Sequence, residues 1–188
     1  MITIIVNPQA GKHDKKHIVD CLRRQAKALK IAYTLVYSQK PFQITELAVT
    51  AALAGCERLI IAGGDGSIQE AIEGLCQVKW PCPMGIVPCG TGNDLAKSLG
   101  IPVELEAAVT LALTGESAPL TLGTVNNHFF ANIASTGIDA DIAALRTKLK
   151  PLIAGPLSYL VATVMTIVRY KPARYQIVID GKMIEGNR

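Results

Sequence analysis

The chain has 188 residues, of which 49% are hydrophobic, 18% charged and 5% aromatic, and its formal net charge is +4. That length holds one large domain, or one domain and part of a second, and the composition excludes a disordered or fibrous chain. So few aromatic rings, with no nucleic-acid-binding motif, argue against nucleic acid as a partner.

In chain order, hydrophobic period and chain breakers predict alternating strands and helices. ITIIV at 2–6 is a first strand rather than a signal peptide, since it carries neither a basic leader nor a small-residue cleavage site. The basic residues gather in KHDKKHIVDCLRRQAKALK, residues 12–30, with a helix expected from 15 to 30. That run reads either as a solvated helix face or as attraction to an anion, a phosphate or an acidic membrane surface. AYTLVYS at 32–38 is a strand, 43–54 a helix, ERLIIA at 57–62 a strand, 67–76 a helix and GIVP at 85–88 a strand, with helices over 94–99 and 104–113 to follow. Near-continuous apolar strands alternating with helices predict an α/β fold, a parallel sheet sandwiched by helices in the Rossmann-like manner.

Beyond residue 113 the pattern changes. PLTLGTVNNHFFANIAST reads as two strands around an Asn126-Asn127 turn, GIDADIAALRTKL as a helix, and ARYQIVIDGKMIE as a strand entering a turn. A boundary is therefore expected near residue 118, with 1–118 the α/β domain and 119–188 part of an antiparallel β-rich second domain. The uncharged stretch from Leu152 to Val168 imitates a membrane span, but Gly155 and Pro156 break it. The helix that remains, over 156–169, is too short to cross and is expected to be a buried core helix, with contact at a membrane surface as the alternative. Five cysteines, odd in number and without a CxxC pair, read as reduced thiols of a cytosolic protein.

Parallel sheets bind ligands at the carboxyl ends of their strands, which gathers three glycine loops. NPQAGK after the first strand offers Gly11 and Lys12 ahead of a basic helix, although it is neither a GxxxxGK[ST] loop nor a GxGxxG fingerprint. GGDGS after the third strand surrounds Asp65 with glycines; the residue either binds magnesium or orients a phosphate, or simply caps the helix that follows. PCGTGND after the fourth strand offers Thr91 as a phosphate donor and Asn93 or Asp94 as a cap or a ligand.

NPQAGK, GGDGSIQE and PCGTGNDLAKSLGIP, in this order, resemble the catalytic domain of the diacylglycerol kinase family, in particular its bacterial lipid kinases, which is related to sphingosine and ceramide kinases. The resemblance runs from residue 2 to about 185, including GIDADIA and LSYL. It implies ATP-dependent transfer of the γ-phosphate to a hydroxyl of diacylglycerol or a related lipid, with ATP and Mg2+ as cofactors. Residues 1–118 then become the ATP-binding domain and 119–188 part of a lipid-binding one. Its ATP-binding positions fall on Asn7, Pro8, Gln9, Ala10, Gly11 and Lys12, on Ser38, on Gly63, Gly64, Asp65, Gly66, Ser67, Ile68, Gln69 and Glu70, and on Gly90, Thr91, Gly92, Asn93 and Asp94. Asp65 would be both the catalytic carboxylate and the metal ligand. The implied setting is cytoplasmic, peripheral at the inner membrane surface where a lipid substrate is met, without a transmembrane span and with a homodimer left open.

Gln69 stands where the family usually carries asparagine. The acidic metal loop and the late Asp-Gly-Glu segment that carries the family's general base find no match, and Asp180-Gly181-Lys182 reads as a turn. This chain is accordingly expected to bind ATP with little turnover of its own. A non-catalytic nucleotide-binding or regulatory module and a kinase of a soluble substrate such as NAD are the alternatives.

Overall fold

The computed structural model describes residues 1–11, 14–149, 153, 156–171 and 174–187. Four strands, β1 (Ile2–Val6), β2 (Tyr33–Tyr37), β3 (Arg58–Gly63) and β4 (Met84–Pro88), form one parallel sheet in the order β2-β1-β3-β4. Between them run α1 (Lys15–Ala28), α2 (Gln43–Leu53) and α3 (Asp65–Gln77), followed by α4 (Asp94–Ser98) and α5 (Leu105–Thr114). Alternate residues of each strand face opposite layers. Ile4 and Val6 of β1 and Ile60 and Ala62 of β3 pack with Val19 and Leu22 of α1 and Val109 of α5. Ile5, Leu59 and Ile61 pack with Ala48 of α2, Ile68 and Ile72 of α3 and Leu95 of α4. Burial on both faces is why these strands read as continuous apolar runs.

The basic stretch resolves into an ordinary amphipathic helix. Ile18, Val19, Cys21, Leu22 and Ala26 of α1 are buried, while Lys16, Arg23, Arg24 and Lys27 face solvent. It ends at Ala28 rather than at residue 30 because Lys30 turns left-handed, with φ 56°.

A hairpin of β5 (Gly123–Val125) and β6 (His128–Phe130) closes through Asn126 and Asn127, at φ 48° and 66°, as a two-residue turn with positive φ at both positions requires. It is held to α3: Glu73 Oε1 accepts from the Phe129 N–H at 3.1 Å, and Gln69 Nε2 donates to the Phe129 carbonyl. It therefore belongs to a first compact unit, Met1–Ile133.

The second unit, from Ala134 onward, contains α6 (Ile138–Leu149) packed with α7 (Pro156–Arg169), and an antiparallel pair, β7 (Arg174–Ile179) and β8 (Lys182–Asn187). Asp180 and Gly181, at φ 48° and 77°, make the turn of that pair, as their chemistry predicts. The expected buried core helix over 156–169 is corrected here. Its buried face is Ser158, Ala162 and Thr166, whereas Leu157, Leu160, Val164, Ile167 and Val168 are exposed. Within this unit the helix packs through its small residues and turns its large ones outward. No helix among the described residues is long and apolar enough to cross a membrane.

Candidate active site

The strand order propagates in opposite directions from β1 and β3, which makes the carboxyl ends of these two strands the switch point where sheets of this kind form a ligand crevice. The loop of residues 7–11 follows β1, the glycine turn around Asp65 follows β3, and residues 89–93 follow β4 at its side.

The three loops are locked together by backbone contact. At Gly11, with φ +62°, an added Cβ would lie 2.0 Å from the Cys89 carbonyl oxygen. At Gly64 it would lie 3.0 Å from the Gly90 Cα, and at Gly63 2.5 Å from the Ser67 Cβ. Gly64 is therefore explained by loop packed on loop, and Gly63 by the Ser67 side chain in the first turn of α3. Gly66 is different: it is exposed, and an added Cβ would meet nothing within 4 Å.

Polar side chains complete the lock. Asn7 Nδ2 donates to Ser67 Oγ at 2.8 Å, and Asn7 Oδ1 accepts from the Gln9 N–H at 2.8 Å, so one carboxamide ties the first loop to the start of α3 and shapes its own turn. Lys15 Nζ donates to the carbonyls of Ala10 and Gly11 at 2.7 and 3.2 Å. The buried Asn93 accepts from the Gly90 N–H at 2.7 Å and donates to the Gly90 carbonyl at 3.0 Å, an internal brace rather than a ligand arm. Cys89, beneath the loops, has its thiol pushed up to about 11 by burial, with Lys15 opposing.

Asp65 is the first residue of α3, which begins two residues earlier than the sequence pattern predicts. Its carboxylate does not cap α3. Asp65 Oδ1 instead accepts from the Leu95 N–H in the first turn of α4, at 3.2 Å, which fixes the side chain across the second and third loops. A Cβ on Gly92 would lie 3.0 Å from Asp65 Oδ2 and 3.1 Å from Asp94 Oδ2, so two carboxylates border one glycine. The N–H groups of Asp65, Gly66 and Ser67 have no acceptor four residues back in the helix, and they point with the positive end of the α3 dipole into the same place.

The remaining sequence candidates divide into two groups. Gln9, Thr91 and Asp94 are exposed around the crevice, with Pro8 and Gly92 half-buried, and Ser38 is buried at the end of β2, its N–H donating to the Val6 carbonyl at 3.0 Å. Away from the crevice, Ile68 is core, Gln69 holds the hairpin, and Glu70 Oε2 accepts from the Ile44 N–H at 3.1 Å in the first turn of α2. Lys12 lies outside the described residues.

Sequence reasoning missed a cleft of about 400 Å³ beside Asp65 and Gly66, between the start of α3, α4 and residues 130–133. Asp65 and Asp94 line its polar side, and Ile72, Leu95, Phe130 and Ile133 line an apolar one. The available signal was Gln69 and Glu73, an amide and a carboxylate one helical turn apart, which bring the hairpin here.

The diacylglycerol kinase catalytic domain family matches residues 1–125, which carry all three loops. The chain belongs to that family. This diacylglycerol kinase family member is 34% identical over 187 residues to "Diacylglycerol kinase" of Bacillus subtilis (strain 168), covering 97% of this chain and 61% of that protein. It is 29% identical over 187 residues to "Diacylglycerol kinase" of Staphylococcus aureus (strain bovine RF122 / ET3-1), covering 97% and 58%. It thus spans about 60% of the length of the curated relatives it matches. The crystal structure of a diacylglycerol kinase from Bacillus anthracis str. Sterne superimposes with a TM-score of 0.74 at 24% identity, over 99% of this chain and 61% of that one, which shows the shared α/β fold.

Proposed function

We propose that this chain carries the nucleotide site of an ATP-dependent lipid kinase, which moves the ATP γ-phosphate to a hydroxyl of diacylglycerol or a related lipid. The observation that carries this reading is Asp65 held at the mouth of three interlocked loops, beside free helix N–H groups and the empty space in front of Gly66. Phosphoryl transfer demands chiefly positioning and charge neutralisation. The N–H groups of Asp65, Gly66 and Ser67 would receive phosphate oxygens, Thr91 would donate a further hydrogen bond, and the Asn7–Ser67 link would keep the first loop from collapsing into that space.

Magnesium fits this donor set as a companion of the nucleotide. Among the described residues no three His, Cys, Asp or Glu side chains cluster as a preformed metal site, and magnesium commonly uses one or two carboxylates together with substrate phosphates. Asp65, through the oxygen not committed to Leu95, would be that carboxylate. When bound, the ion supplies neutralisation of charge on the transferring phosphate.

The acceptor would enter through the cleft, whose apolar wall meets a carboxylate edge, an arrangement suited to a hydroxyl borne on hydrocarbon. That wall disfavours a soluble acceptor such as NAD. The lipid would be met at a membrane surface, cytoplasmic and without crossing it. Incubation with labelled ATP, magnesium and vesicles containing diacylglycerol tests the reading, with NAD as competing acceptor and calorimetry of ATP alone alongside. Label in phosphatidate supports a lipid kinase. ATP binding without transfer to either acceptor is the outcome expected of this chain alone and fits the non-catalytic module equally, and label in NAD contradicts the lipid assignment.

A further inference from the structure

At the amino ends of the central strands, away from the Asp65 loops, two cysteines meet. Cys56 lies in the segment entering β3 and Cys82 in the segment entering β4, the parallel neighbour, where the Leu59 N–H donates to the Pro83 carbonyl at 3.0 Å. The side chains converge, with Sγ to Sγ 3.3 Å. Among the described residues no other pair of sulfurs is in hydrogen-bond contact.

The two thiols differ in environment. Cys82 is 4% exposed and lines a mostly apolar cavity of about 810 Å³ beside Trp80, Met84, Leu99 and Leu122. Burial, and then its contact with Cys56, push the Cys82 thiol up to about 12, so it stays protonated at neutral pH. Cys56 is half-buried, so a reagent from solvent reaches it first. A buried thiol facing a more exposed one across a contact this short has the geometry that thiol–disulfide exchange between an attacking and a resolving thiol requires.

We propose that Cys56 and Cys82 form a reversible disulfide modification site that takes low-molecular-weight disulfides. The Cys56 thiolate, its proton released to water, attacks one sulfur of the reagent, forms a mixed disulfide and expels a thiolate that takes up a proton. The Cys82 sulfur then gives up its proton to water through the cavity and attacks the Cys56 sulfur, expelling the second reagent thiol. Two protein thiols are oxidised by two electrons in all, and one reagent disulfide is reduced to two thiols. The product staples the entries of β3 and β4.

The test treats the full chain with oxidised glutathione, blocks remaining thiols by alkylation, and maps disulfides by peptide mass spectrometry. The expected product is a Cys56–Cys82 linkage, lighter by two hydrogens, with Cys21, Cys76 and Cys89 alkylated and full reversal by dithiothreitol. In Cys82→Ser, a glutathione adduct should persist on Cys56. In Cys56→Ser, Cys82 should remain unmodified. Cys56 and Cys82 both recovered as alkylated thiols, a linkage that involves Cys76, or a glutathione adduct on Cys82 of Cys56→Ser would each overturn the proposal.

Discussion

Replacing Gly66 by alanine separates a glycine kept for a ligand from one kept for the fold. Gly66 lies in the first turn of α3, its φ is not in the left-handed region, and an added Cβ meets nothing within 4 Å. On structural grounds alone Gly66→Ala should therefore stabilise the protein. Alanine exceeds glycine within helices by about 0.5–1 kcal/mol, and the first turn realises the lower part of that range. For a chain of this size a gain of about 0.5 kcal/mol raises the melting temperature by roughly 1–2 °C. If the space is where a phosphate approaches the backbone, the same methyl intrudes on it, and ATP affinity should fall about tenfold, or about 1.4 kcal/mol. Urea unfolding and calorimetric titration with ATP, run on both proteins, read the two effects independently. Raised stability with unchanged ATP affinity would refute the reasoning, since the emptiness at Gly66 would then serve no ligand.

Asp65→Asn retains an oxygen to accept from the Leu95 N–H, so stability should move by less than about 0.5 kcal/mol while the magnesium dependence of ATP binding disappears; calorimetry with and without the ion decides, and a retained dependence removes Asp65 as the metal's carboxylate. Asn7→Ala loses the Ser67 bond and the Gln9 turn together, and should cost about 1–2 kcal/mol in urea unfolding with weaker ATP binding. An unaltered midpoint would show that the loops do not depend on this lock. Glu104, which accepts from Ala107 and Glu106 at the start of α5, has its carboxyl held below the ordinary 4.5 by those bonds. A depressed folded value means stability present above the unfolded value and lost as pH falls through the folded one. The stability difference between the native protein and Glu104→Gln should accordingly shrink below pH 4.5 in thermal melts, and a difference constant with pH would contradict the cap.

Much of the α/β unit could be read directly, because both faces of its sheet are covered and the strands carry their burial as unbroken apolar runs such as LIIA at 59–62. The turns at Asn126-Asn127 and Asp180-Gly181 were equally legible, since few other dipeptides tolerate consecutive positive φ. The site was legible as a set of loops but not as a mechanism of assembly. Sequence suggested that the glycines around Asp65 leave room for a ligand. In the structure Gly63 and Gly64 leave room for Ser67 and Gly90, and only Gly66 is open. Contacts between residues far apart in sequence, such as Asp65 with the Leu95 N–H or Glu70 with the Ile44 N–H, have no local signature. The outward apolar face of α7 was left undecided for a related reason, between a buried core helix and contact at a membrane surface, because an all-apolar run does not say which side its neighbours occupy.

The central claim is that the start of α3 receives phosphate. Backbone amide resonances recorded during titration with ADP and magnesium test it most directly. The account predicts that the largest shifts fall on Asp65, Gly66 and Ser67, with Thr91 following, and that the amides of Arg58 and Met84 at the amino ends of β3 and β4 stay in place. Saturable ADP binding that leaves the Gly66 amide unshifted would contradict it.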